Sequence, residues 1–208
     1  MAATLFYLVR TPTALAAATF EIRSKFTSVE DIHQGAQLGS CTYLRACIDE
    51  AMRLSPSVGG LLPREVLPGG TTIDGEHIPA GTVVGTPHYT IHHNAAYYPD
   101  PFAYIPDRWL AEKRGEDNVA LAQSAFCPFS IGPRGCIGKG LAYLEMTITL
   151  GRVLYMYDLR RANVEDPGEG GAAGAEWGRH RKSEYQLMDI FTSLKDGPMV
   201  EFRRREVE

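Results

Sequence analysis

No run of about 18 apolar residues occurs in the chain, and its apolar opening segment is broken by Arg10, Thr11 and Pro12. A spanning helix and a secretory signal are therefore both excluded as readings, which predicts a soluble chain with no membrane anchor. Cysteine is scarce: Cys41, Cys47, Cys127 and Cys136 form no C-x-x-C pair. Neither a zinc site nor a dense disulfide framework follows, and a reducing compartment is the default. Strong charge of either sign is missing as well, because 21 Lys+Arg against 25 Asp+Glu leaves a net charge of -4. That excludes the general electrostatic footprint of a nucleic-acid binder and predicts no nucleic-acid partner. No internal repeat is present, so solenoids and arrays are set aside. What remains is a 208-residue chain of 44% hydrophobic composition, long enough for one substantial core.

Periodicity predicts mainly helices with a small β-sheet, an α+β arrangement. Residues 1–10 read as the tail of a buried helix, and Thr11-Pro12 reads as the N-cap and first position of a second, running to about Phe26. Thr27 and Glu30 have capping-box spacing and predict a short helix before Gly35 and Gly39. In "TYLRACIDEAMRL", Leu44, Ile48, Ala51, Met52 and Leu54 make one apolar stripe, ended by Ser55-Pro56. From Leu61 to Thr86 the period drops to about two, with turn signals at Asp74-Gly75 and Pro79-Ala80-Gly81, which predicts the small sheet. "HYTIHHN" predicts a short helix and "YYPDPFAYIPDRWL" a proline-punctuated ordered coil. A long helix is expected from Gly138 to about Tyr157, a Gly-rich surface loop from Glu165 to Gly174, and a final hairpin around Asp196-Gly197.

The segment "FSIGPRGCIGKG", Phe129 to Gly140, sets a cysteine among four glycines and two cations. A phosphate-binding P-loop would place Gly where Pro133 stands and Ser or Thr where Gly140 stands, so phosphate is the weaker reading. The dinucleotide fingerprint fails too, since Gly132, Gly135, Gly138 and Gly140 have the wrong spacing and follow no buried strand. An inert thiol in a turn is the common fate of a lone cysteine. Three features oppose it. The following helix points its positive end at Cys136 and favours a thiolate. The glycines leave room for a broad flat group. Arg134 offers a fork of donors suited to a carboxylate, such as a haem propionate. A thiolate-ligated haem satisfies all three.

The stretch Phe129-Ser130-Ile131-Gly132-Pro133-Arg134-Gly135-Cys136-Ile137-Gly138, continued by Leu141-Ala142 and Glu145, resembles the cysteine-ligand loop of the cytochrome P450 haem-thiolate monooxygenases. Glu50 and Arg53 resemble the family's Glu-x-x-Arg pair, and Pro106-Asp107-Arg108-Trp109 resembles the later segment whose arginine completes a triad. The resemblance implies the C-terminal part of the P450 fold, residues 1–208 being a single partial domain that lacks its N-terminal half. It implies haem b as cofactor and Cys136 as iron ligand and catalytic residue. Arg134, Arg64, Phe129, Gly132 and Gly138 would line the cofactor, and Glu50, Arg53 and Arg108 would form a structural network. Val58–Leu62 and Phe191–Leu194 resemble substrate-facing segments, although core packing would look the same in sequence.

The implied reaction inserts one oxygen atom of O2 into a small lipophilic substrate with electrons from NADPH-cytochrome P450 reductase. The Cys136 thiolate would push electron density onto iron and favour O–O cleavage. A eukaryotic, fungal-type secondary-metabolism member at the endoplasmic reticulum membrane is the type implied. The alternative is a truncated, inactive haem-binding fragment or an incomplete gene model. "AATLFYLVRTP" resembles only the end of the helix that carries the family's acid–alcohol pair. The apolar stripes of 1–26 and 138–157 are expected to await cover from outside the chain. His88, His92 and His93 read as a polar surface turn with no assigned role.

Overall fold

The computed structural model describes residues 1–163, 170–176 and 178–206. In chain order its helices and strands begin with α1 (Ala2–Arg10), α2 (Pro12–Lys25), α3 (Ala36–Gly39) and α4 (Thr42–Leu54). Short strands follow: β1 (Arg64–Glu65), β2 (Thr71–Ile73), β3 (Glu76–Ile78) and β4 (Val83–Val84). Then come α5 (His88–His92), a 3-10 turn at Pro106–Trp109, α6 (Ala111–Arg114), α7 (Glu116–Ser124) and a second 3-10 turn at Gly132–Arg134. The long α8 (Lys139–Met156) runs directly into β5 (Tyr157–Arg161), and β6 (Leu187–Ile190), β7 (Thr192–Lys195) and β8 (Val200–Arg204) close the series.

Helices α1, α2, α4 and α8 form the main core, with Leu8, Ala18, Ile22, Leu44, Leu150 and Leu154 buried together. The apolar stripes of 1–26 and 138–157 are thus largely covered within the chain, contrary to the sequence expectation. Each helix covers buried side chains of its neighbours. Phe20 and Leu141 are exposed exceptions within those stripes, and further uncovered apolar side chains lie at Ile131, Ile137, Phe191 and Leu194 among others. The total accessible surface is 12367 Å². A compact monomer of this mass exposes roughly 9,600 Å², so an excess of apolar and polar face remains open.

Helix α2 organises its neighbours through their ends. Glu21 accepts the Tyr43 and Leu44 N–H groups at 3.1 and 2.8 Å, capping the N-terminus of α4 from a distance. Two residues on, Arg23 donates to the Leu154 and Tyr157 carbonyls at 3.0 and 2.9 Å and caps the C-terminus of α8. Where α8 passes this layer, Gly151 has no side chain to spare: a Cβ there would sit 3.2 Å from Ile32 Cγ2 and 3.7 Å from Ile22 Cδ1.

Three sequence expectations are corrected. Thr27 and Glu30 open no helix, because Asp31 takes both the Thr27 hydroxyl and the Ser28 N–H, at 3.1 Å each, and fixes a turn instead. The predicted small sheet over 61–86 is two separate antiparallel pairs, β1 with β4 and β2 with β3. Asp74-Gly75 does close the β2–β3 hairpin, with φ of 51° and 84°. The final hairpin turns at Phe191, not Asp196-Gly197: β6 pairs with β7, while β8 pairs with the distant β5 from Tyr157↔Arg204 to Arg161↔Val200. Alternation marks strands but not their partners. Of the expected surface loop, residues 165–169 lie outside the described residues. Gly171 and Ala172 donate to the Arg181 and Arg179 carbonyls at 2.8 Å each.

The packing at Gly151 predicts that Gly151→Leu overfills the α2–α8 layer and costs about 1–3 kcal/mol. A urea titration checks this, the midpoint falling with the slope unchanged.

Candidate functional site

Glu50 lies on the inner face of α4 with 0% exposure, and its carboxylate accepts five hydrogen bonds. Arg53, one turn along, donates Nε to Oε2 and Nη2 to Oε1, each at 2.9 Å. Arg108 reaches Oε1 at 3.0 Å from the 3-10 turn. The Ile105 N–H and Trp109 Nε1 add bonds of 3.0 Å each. Sequence reasoning named the three charged residues and missed these last two. Trp109 sits beside Arg108 in the quoted motif, which is the signal that was there to use.

The guanidiniums spend their remaining donors on the proline-rich coil. Arg53 donates to the His92, Pro101 and Ala103 carbonyls at 2.8, 2.7 and 3.1 Å. Arg108 donates twice to the Pro99 carbonyl at 3.1 Å. All five N–H groups of Arg53 are thereby used. A segment without regular structure keeps its buried carbonyls satisfied in this way.

Above the coil lies the glycine-bounded loop. Cys136 is exposed, whereas Cys41 and Cys47 are buried and Cys127 is half-buried. Burial pushes the Cys41 and Cys47 thiols up to about 11 and 12, and Cys127 upward as well. The loop is shaped by its own backbone: Ser130 N–H donates to the Cys127 carbonyl at 2.9 Å and Cys136 N–H to the Phe129 carbonyl at 2.8 Å. Gly132 takes φ +69° with open space where a Cβ would be, and a Cβ on Gly138 would stand 3.7 Å from the Cys136 sulfur. Both leave the surface around the sulfur bare. Phe129 is half-buried, its ring 5.2 Å from Tyr143 on α8. Tyr143 is held in turn by Asp49, which accepts its hydroxyl at 2.8 Å and pairs with Arg45 at 2.9 Å. Burial holds the Asp49 carboxyl above its usual range.

Arg64 at the start of β1 and Arg134 on the loop line one cavity of about 410 Å³, with Leu62, Thr86 and His88. Cys136, Phe129, Gly132 and Gly138 lie outside its wall, so the cavity gathers the cations while the sulfur stands on the loop's open side. Neither arginine meets a carboxylate among the described residues; Arg64 donates only to the Pro63 carbonyl, at 2.9 Å. Phe191–Leu194 is held beside the start of Val58–Leu62, where Ser193 N–H donates to the carbonyl of the preceding residue, Ser57, at 2.8 Å. Leu61, Phe191 and Leu194 are exposed there, so these segments are not ordinary core.

A family model described as cytochrome P450 matches residues 1–170. The chain belongs to the cytochrome P450 family. It is 48% identical over 209 residues to cytochrome P450 monooxygenase AKT7 of Alternaria alternata, covering 98% of this chain and 40% of that protein. It is 49% identical over 210 residues to cytochrome P450 monooxygenase apf7 of Gibberella fujikuroi, covering 99% and 39%. A crystal structure of a cytochrome P450 (CYP102L1) superposes with a TM-score of 0.74 at 25% identity, covering 99% of this chain and 41% of that one. The chain spans about two fifths of the length of these relatives. The P450 family implies haem, and the donor set here fits it: one exposed sulfur on a bare glycine rim, and two guanidiniums that meet no carboxylate among the described residues and could meet propionates. No helix among the described residues is long and apolar enough to cross a membrane.

The histidines correct the sequence reading. His88 and His92 are buried, and no surface turn is formed. His92 Nε2 accepts the Cys127 N–H at 3.0 Å. Its partner lies 35 residues away, so nothing local in the sequence signals the contact. Burial lowers His92 to about 3 and His93 to about 4. A histidine depressed on folding refuses protons that the unfolded chain binds, so its contribution is whole above pH 6.5 and is lost as the pH falls toward 4. Folding stability is expected to drop between pH 6.5 and 4.5 by up to about 1.4 kcal/mol per pH unit for each such histidine. Denaturant midpoints across that range check this; a flat profile would contradict it.

Proposed function

We propose that this chain is the C-terminal, cysteine-bearing part of a single haem-thiolate monooxygenase domain. One observation carries the reading: the exposed Cys136 sulfur on a glycine-bounded loop, with Arg64 and Arg134 lining a shared cavity and meeting no anionic partner among the described residues. Haem b, when bound, supplies the iron at which O2 is activated. Cys136 Sγ is the iron ligand of the chain, and the two guanidiniums neutralise the propionates. Gly132 and Gly138 keep side chains off the face that would receive the macrocycle, and Phe129 ties the loop to α8 through Tyr143.

Leu61, Phe191 and Leu194 give an apolar wall suited to a small lipophilic substrate and to excluding water from it. Electrons come from NADPH-cytochrome P450 reductase, and the product carries one oxygen atom from O2. The setting is secondary metabolism at the endoplasmic reticulum membrane, in keeping with the fungal relatives. The activity is assigned to the whole protein, because Ile131 and Ile137 on the cysteine loop stand open to water in this part alone.

Cys136→Ala is expected to abolish the red-shifted Soret band of the reduced, carbon monoxide-bound protein. Alanine at Cys41, Cys47 or Cys127 leaves it in place, since burial already disfavours their thiolates. The same band in the Cys136→Ala protein would refute the assignment.

A further inference from the structure

We infer that His92 is a positioning residue for the thiolate loop: its imidazole anchors Cys127 and couples the Glu50–Arg53–Arg108 network to the segment carrying the sulfur. This rests on the reading of Cys136 as iron ligand. His92 ends α5 with 0% exposure, its ring 5.5 Å from that of Phe126 and edge-on to Tyr98 at 6.4 Å. Nε2 accepts the Cys127 N–H at 3.0 Å, and the Cys127 sulfur lies 3.7 Å from the same nitrogen. With Nε2 as acceptor, the ring proton sits on Nδ1. That atom is buried and faces the Arg53 backbone carbonyl without a hydrogen bond of ordinary geometry.

A buried donor with at best a poorly aligned partner is costly, so space filling alone is a poor account of a histidine here; leucine or phenylalanine would fill the site without that cost. What a histidine adds is an acceptor, aimed at the first backbone donor of the loop. From Cys127 the path continues through the chain's own bonds. The Cys127 carbonyl receives Ser130 N–H at 2.9 Å, and the Phe129 carbonyl receives Cys136 N–H at 2.8 Å. On the other side, Arg53 Nη1 donates to the His92 carbonyl at 2.8 Å. One residue therefore receives the charged network on its backbone and hands its position on through its side chain. Burial keeps the ring in the acceptor form at neutral pH.

The test uses the whole haem-loaded protein with His92→Phe, which fills the space without an acceptor, and His92→Gln, whose Oε1 can accept in place of Nε2. Two quantities are read: hydrogen exchange at the Cys127 amide, and the Soret band of the reduced carbon monoxide complex. His92→Phe is expected to speed Cys127 exchange about tenfold or more and to shift the band away from the thiolate form. His92→Gln should restore both. Wild-type protection and band in His92→Phe would overturn the inference. So would a folded His92→Gln protein no better than His92→Phe, or a His92→Gln protein that fails to fold. If wild-type protein lacks the thiolate band, the Cys136 reading fails instead, while the amide measurement still judges His92 by itself.

Discussion

One buried carboxylate sets the geometry on which the rest depends. Glu50 stands without solvent, and its charge is compensated by two guanidiniums and two further N–H donors from the Pro106–Trp109 turn region. Such an arrangement is weak evidence for net stability against an apolar replacement. Removing one member is another matter, because a stranded charge costs about 3–5 kcal/mol. The network thus specifies one arrangement of a coil that has little else to define it. Residues 92–109 are rich in proline, which donates nothing, and their carbonyls at His92, Pro99, Pro101 and Ala103 are met by Arg53 and Arg108.

The site is built as a fixed base under an open surface. Below, the coil and α5 are held by the network, and α4 and α8 are held by the end-caps from Glu21 and Arg23. Above, the loop shows its glycines, its sulfur and fully exposed Ile137. Two attachments join the layers: Phe129 against the Tyr143–Asp49–Arg45 clasp, and Cys127 against His92. A loop that leaves one face bare takes its rigidity from the other face and its two ends.

Much of this was legible in residues 42–54 and 129–156, where helical period, a proline stop and the glycine run are all local signals. The helix predicted over "TYLRACIDEAMRL" is α4 to the residue. The glycine-bounded cysteine segment and the Glu50–Arg53 pair were both visible because each is contiguous. Contacts across long separations were not. β8 finds β5 rather than β7, Glu21 caps α4 from α2, and His92 meets Cys127, and in each case the partner is chosen by tertiary packing. Thr27 shows the opposite failure: its local capping signal was outbid by Asp31, one residue beyond the motif.

The central claim is that the Glu50 network and the cysteine loop form one mechanical unit. Hydrogen exchange of an Arg53→Lys protein tests it most directly, since lysine keeps the charge but loses the fork that spans Glu50 and the coil. The account predicts that segments 92–109 and 127–136 lose protection together while α2 and the far end of α8 keep theirs. Loss confined to 92–109, with the cysteine loop as protected as before, would contradict it.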